Sequence, residues 1–465
     1  MAYSREDIEL QNNIYKGLMP RWEYFIRSYL GGKEYSDGKF LQAYQLELES
    51  EYFKRLSYTP LDNHCRNVID IYSSFLFRVT PSRKLGTLEE DPSVSQFLND
   101  ADLEGRSFND LLREAQRYAS VYGHIWLIMD KPKTNVMTRA EELDQGIRPY
   151  INLYTPENVL DWHYTRNEAG YYYLDYLKIR ESISAEGEYY KLWYTDRIDC
   201  VFLSSGNRDE PKLIETLENP IGKIPAVILY NQRSPMRGVG VSDLTDVADL
   251  QKAIYNELSE IEQIIRLSNH PSLVKTRDTD AGAGAGSIIE MPDNIDANLK
   301  PYILQPSGSN LDGVIKSITH KVDAINRLSH VGSIRATSER VASGIALRTE
   351  FELLNARLSE KSKLMQLAEE QIWRLFAEWQ ETVFDGEVLY PETFDIRDWA
   401  TDLELLQAAK ASNIKSATFN KEIDKQIAKS VIDDDATLEQ IDSEIEQNTE
   451  TLGTFPQEPI TLPTV

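Results

Sequence analysis

The sequence predicts an α+β fold, mainly α, and three observations carry that prediction. Two long stretches, 243–269 and about 348–380, place apolar residues at alternating spacings of three and four. Between 124 and 230 the pattern changes to short runs rich in β-branched and aromatic residues. From Glu381 onward the chain turns polar, with 19 acidic against 6 basic residues.

Taken in order, Asp7 to Leu30 is the first helical candidate. Thr59-Pro60-Leu61-Asp62 is a start signal for a helix through Phe77, and Pro81 stops it. A helix from Ser107 to Tyr122 ends at Gly123, a residue type free to adopt the left-handed cap. The strand-like runs are HIWLIMD (124–130), PYINLYT (149–155), YYYLDYLKI (171–179), YYKLWYT (189–195), DCVFLS (199–204) and PAVILYN (225–231). Turn-formers such as Gly170, Gly187, Gly206 and Pro220 separate them. Many of the 25 tyrosines fall here, and strand propensity with a wet hydroxyl tip accounts for them.

The middle is different. Leu244, Val247, Ile254, Leu258, Ile261 and Ile265 form a narrow heptad stripe with one polar break at Gln251, in a segment without Gly or Pro. Pro271 ends it. A second helix, 310–331, carries Leu311, Val314, Ile318, Val322 and Ile325 on one face. Between them lie AGAGAGS (281–287), read as a flexible loop, and two strand-like runs, SIIEM and PYILQ. Two long helices joined by such an insert predict a protruding hairpin with a folded tip. One narrow stripe per helix is a poor independent core, so the stripes are expected to be covered by further copies of the chain. Next comes GSIRATSERVASG (332–344), with glycines at both ends and no aromatic, expected to be mobile. The longest helix, Arg348 to Gln380, has Lys361 as the only charged break in its stripe. Small helices at 402–412, 418–431 and 435–447 precede a Pro- and Thr-rich end.

Composition excludes several classes. Fifty basic against 75 acidic residues leave a net charge of −25, so overall charge supplies no phosphate affinity. Transient contact with nucleic acid is compatible with that sign. Cys65 and Cys200 are the only cysteines, too few for a disulfide framework or a cysteine-rich zinc module. No segment approaches the ~18 apolar residues of a membrane span, and the polar start MAYSREDIELQNN is unlike a secretory signal. The expectation is a soluble protein assembled in a reducing cytoplasm.

Motifs for catalysis are missing too. Gly32-Lys33, Gly38-Lys39 and Gly222-Lys223 are followed by Glu34, Phe40 and Ile224, so no Walker loop is present. Gly238-Val-Gly240-Val-Ser-Asp243 puts Asp243 where a dinucleotide fold needs its third glycine, and reads as a helix start capped by Ser242 or Asp243. The six histidines have no HExxH spacing, Gly-x-Ser-x-Gly does not occur, and Asp433-Asp434-Asp435 lacks a calcium loop's turn glycine. No enzyme, cofactor or metal is expected.

The order of parts resembles the portal protein of tailed double-stranded-DNA bacteriophages over nearly the whole length. TPLDNHCRNVIDIYSSFLFRV (59–79), PYINLYTPENVLDW (149–162) and IPAVILYNQ (224–232) are similar to the wing of that family. GVGVSDLTDVADLQKAIYNELSE (238–260) resembles its first stem helix, and SGIALRTEFELLNARLSEKSKLMQLAEEQIWRLF (343–376) the long helix after its tunnel loop. The resemblance implies a twelve-subunit ring at the capsid vertex, with 1–242 as wing, 243–269 and 310–331 as stem helices, 270–309 as clip and 332–344 as tunnel loop. The long helix and its connection then fill 345–400, and crown and tail helices 401–465.

It also implies roles and partners. Lys275, Arg277, Ala281, Gly284 and Gly286 would dock partners at the clip: the terminase large subunit, then a head–tail adaptor or tail proteins. Ser333, Arg335, Ser338, Glu339 and Arg340 would meet double-stranded DNA sliding through the channel without sequence preference. Contacts with further copies and with the major capsid protein complete the set, and no membrane is involved. Two alternatives stay open: a metal-dependent nuclease whose carboxylates are scattered in sequence, and a smaller head–tail adaptor.

Overall fold

The computed structural model describes residues 3–133, 138–206, 210–269, 272–277, 280–281, 289–290, 296, 300–304, 311–335, 344–394, 406–412, 414, 416–432 and 435–451. Contacts divide the chain into two units, Met1–Phe394 and Asp395–Val465.

The core of the first unit is built where helix hands over to strand. Ser107 accepts a hydrogen bond from the Asp110 N–H and starts the helix Phe108–Tyr122. Gly123 ends that helix at φ 97°, and the chain passes directly into the strand His124–Asp130. A side chain at Gly123 would strike the Gly240 carbonyl at 2.5 Å, and one at Gly240 would strike the Gly123 carbonyl at 1.9 Å. Gly240 therefore serves close backbone approach, while Gly238, at φ 78°, leaves room for the Trp162 ring.

His124–Asp130 is the middle strand of an antiparallel three-stranded sheet, between Tyr150–Tyr154 and Ala226–Tyr230. It is buried on both faces, which explains its continuous rather than alternating apolar run. The helix Phe108–Tyr122 and the long helix Gly344–Trp379 pack against this sheet. Phe97, Phe108, Trp373 and Phe376 meet at ring separations of 5.0–5.7 Å in the core beside it. A second sheet is a five-stranded antiparallel meander: Val159–Arg166, Tyr172–Ile183, Gly187–Tyr194, Arg197–Ser204 and Lys212–Glu218. Its first and last strands are additions to the sequence reading.

The single N-terminal helix expected at Asp7–Leu30 is two, Arg5–Glu9 and Asn13–Leu30. Asn12 breaks it by accepting from the Ile14 N–H at 2.9 Å, the ordinary preference of Asn for a helix start. The freed carbonyls are not wasted: Lys178, 1% exposed, donates to those of Asp7, Ile8 and Leu10. Within the second unit, Ala417–Val431 and Asp435–Thr451 pack together, with Lys421 and Lys425 each 3.2 Å from Glu446.

Candidate functional site

The feature that sets this fold apart is the hairpin of Val247–Asn269 and Leu311–Leu328. Its root is apolar and closed. Leu244, Val247, Ile254 and Ile325 are 2% exposed or less, all within this chain's own core. The expectation that other copies cover the whole stripe is corrected for these four: the helices around them already do so. Leu258, Ile261, Val314, Ile318 and Val322 are half-buried, while Ile265 on the first helix and Ile315 on the second are 40% and 47% exposed. The uncovered apolar surface therefore lies toward the tip.

The polar break is a tie rather than a flaw. Gln251, fully buried, accepts from the Cys65 N–H at 2.8 Å and donates to the Ser28 carbonyl at 3.1 Å, joining the hairpin to two N-terminal helices. Further along, residues 40–58 clasp the same helix. Arg55, 1% exposed, pairs with Glu47 at 2.7 Å, donates to Ser259 Oγ at 3.0 Å and lies 4.1 Å over the Tyr44 ring. Asn256 accepts from the Gln42 N–H at 2.7 Å, and Tyr44 donates to Glu260 at 2.7 Å. Between the two hairpin helices, Glu257 accepts from Lys321 at 2.6 Å and Ser317 at 2.7 Å.

Just before the first hairpin helix sits a buried ionic cluster that the sequence reading missed. Asp243 Oδ2 lies 2.6 Å from Lys361 Nζ, and Oδ1 lies 2.8 Å from Arg357 Nη2, with Asp243 and Lys361 only 4% and 2% exposed. Lys361 also donates to Asn231 Oδ1 and, at 3.2 Å, to Ser120 Oγ. Burial pushes the Asp243 carboxyl up, but the two cations outweigh it and hold it below the usual carboxylate range. Burial lowers the Lys361 ammonium in spite of that carboxylate, yet every neighbour of its Nζ named here is an acceptor, so the charged form is the satisfied one. Asp243 is therefore not a helix cap. The helix starts only at Val247, and Ser242 accepts from the Leu244 N–H at 3.0 Å in the turn that leads into it. The available signal was Lys361 itself, since one cation in an apolar stripe requires a buried acceptor.

At the tip, Ser272–Val274 pairs antiparallel with Tyr302–Leu304, and Asp280–Ala281 with Ile289–Glu290. Lys275 and Arg277 are exposed beside the outer ladder, and Ala281 lies in the inner one opposite Ile289. Gly284, Gly286, Ser338, Glu339 and Arg340 lie outside the described residues. Ser333 and Arg335 do not lie in an irregular loop: Gly332–Arg335 is a helical turn. The Ile334 N–H bonds the Val331 carbonyl at 3.1 Å and the Ile334 side chain packs on the core, which fixes that turn. The long helix also starts earlier than expected, at Gly344. Among the described residues no group of His, Cys, Asp and Glu could hold a metal ion, and no helix is long and apolar enough to cross a membrane.

No curated protein matches this sequence. Among solved structures, the chain is similar to one from the neck of an empty GTA particle computed with C6 symmetry, at TM-score 0.47 and 8% identity, covering 82% of this chain and 94% of that one. A second is from the virion of a native gene transfer agent particle, at TM-score 0.44 and 8% identity, covering 86% and 98%. The family model described as phage portal protein, SPP1 Gp6-like, matches residues 61–451, which takes in the hairpin, its folded tip and the ionic cluster. The chain belongs to the SPP1 Gp6-like family of phage portal proteins.

Proposed function

We propose that this portal-family chain assembles into a closed ring of twelve at the capsid vertex, and that the ring is the channel for genome packaging and ejection. The observation that carries the reading is the graded hairpin: its root is closed within the subunit, while its distal half keeps Leu258, Ile261, Ile265 and Val314 only partly covered. Neighbouring hairpins side by side would cover that half. Negative-stain imaging of the purified protein should give rings with a central hole. The pair Ile261→Asp and Ile265→Asp would bury unpaired charge at such contacts, costing several kcal/mol per ion. The variant is expected to keep the wild-type circular dichroism and sediment as monomers; rings of wild-type size would refute stem-mediated assembly.

In that ring the tip, 270–309, is the clip, docking the terminase large subunit during filling and adaptor or tail proteins afterwards. The wing faces the major capsid protein, and Arg335 and Arg340 touch DNA phosphates transiently near the narrowest point. Packaging in reconstituted heads separates these roles. Deleting 281–286 should spare the ring and reduce terminase and adaptor binding. Arg335→Ser with Arg340→Ser should spare binding and reduce DNA retention, more so at low salt. Unchanged binding in the first case, or unchanged retention in the second, removes the corresponding role. A nuclease reading has no motif behind it, and the family is structural rather than enzymatic.

A further inference from the structure

One surface combines cations and apolar rings in a way the rest of this acidic chain does not require. It is formed by the turn between the first two strands of the five-stranded sheet and by the loop after Tyr230. Arg166 and Arg237 lie 4.4 Å and 3.3 Å from the centre of the Tyr172 ring, and Arg233 lies 5.5 Å from that of Tyr230. All three arginines are exposed, and among the described residues none forms an ion pair with a carboxylate. Tyr172 and Tyr173 are each 41% exposed, Tyr171 is 73% exposed and Met236 43%.

The composition decides what kind of partner fits. Arg, Tyr and Met are the residue types enriched in protein–protein interfaces, and Tyr and Arg recur among the few that carry most of the binding energy. Rings stacked under guanidinium groups hold those groups in place before any partner arrives, which lowers the ordering cost of binding. A duplex backbone would use the cations but leave the tyrosines and Met236 without a role, because its bases are stacked inside. A protein surface bearing carboxylates uses both.

The geometry points to a second copy of this chain as the occupant, with its carboxylates against Arg166, Arg233 and Arg237. The charge supplies the argument: each copy carries −25, so copies packed in a ring repel unless cations sit at their contacts. Here are three that pair with no carboxylate among the described residues. The proposal rests on the ring reading above, and adds to the hairpin contacts a wing contact that is ionic at its rim and aromatic at its centre.

The test uses the full chain. Arg166→Glu with Arg237→Glu changes only exposed side chains, so the wild-type melting temperature is expected to persist. Self-association measured by sedimentation should weaken at least tenfold, and wild-type association should weaken as salt rises. Independently, a photo-crosslinking residue in place of Met236 should give covalent dimers joined to acidic peptides of the second copy. Wild-type assembly by the charge-reversal variant, or crosslinks confined within one chain, would overturn the wing contact while leaving the ring standing. An unassembled wild-type protein would remove both readings. Normal assembly with lost binding to duplex DNA would reassign the surface to nucleic acid.

Discussion

Asp243→Ala is expected to cost about 3–5 kcal/mol of stability, because it leaves Lys361 and Arg357 without their carboxylate at a buried site. Lys361→Met should cost less, since Asp243 keeps Arg357 at 2.8 Å and the Met chain fills the vacated space. The double variant with both changes should recover part of the loss, a coupling that only neighbours show. Chemical unfolding of the four proteins measures it. A cost under about 1 kcal/mol for Asp243→Ala would mean that water reaches the cluster and that it does not fix the root of the hairpin.

Acid sensitivity is the second large effect, and it centres on His124. The ring is fully buried beside Trp22, Trp126 and Tyr230, its Nδ1 accepts from the Gly240 N–H at 3.3 Å, and its Nε2 has no hydrogen-bond partner among the described residues. Burial holds it neutral down to about pH 3. In the unfolded chain an imidazole binds its proton near pH 6.5. The unfolded state therefore takes up a proton that the folded state refuses, so this stabilisation is complete above about pH 6.5 and declines as pH falls toward 3. The slope approaches ~1.4 kcal/mol per pH unit. His124→Asn, which retains an acceptor for Gly240, should be less stable at pH 7 and flatter between pH 6.5 and 4. Equal slopes for the two proteins in that window would place the acid-sensitive group elsewhere.

Much of the frame could be read in the sequence because it is local. Ser107 and Gly123 bracket their helix as cap chemistry requires, and the 3,4 spacing of the hairpin stripes is regular enough to survive any tertiary context. What escaped was not local. The strand Val159–Arg166 carries irregularities between Val159 and Asp161 and between His163 and Tyr164, which disturb its alternation. Lys212–Glu218 is an edge strand exposed along nearly its whole length, so its residues have no inside to mark. The ionic cluster joins residues more than a hundred positions apart, and no spacing rule reaches that far. The stripe itself was read correctly as apolar, but which residues of it are already covered depends on neighbours that only the fold supplies.

The clasp formed by residues 40–58 has a mechanical consequence. A helix held only by its buried root, through Ile254, would project roughly 22 Å, whereas the clasp reaches Ser259 and Glu260 and leaves roughly 15 Å free. The bending compliance of a clamped rod grows as the cube of its free length, so the tip is held roughly three times more stiffly than the root alone would hold it. Hydrogen exchange along Ile254–Asn269 reads the boundary directly, as slow amides up to Ser259 and faster ones beyond. The segment that supplies this stiffness precedes residue 61, where the family match begins. Rigidity of the lever is thus set by a segment about two hundred residues away in sequence from the helix it steadies.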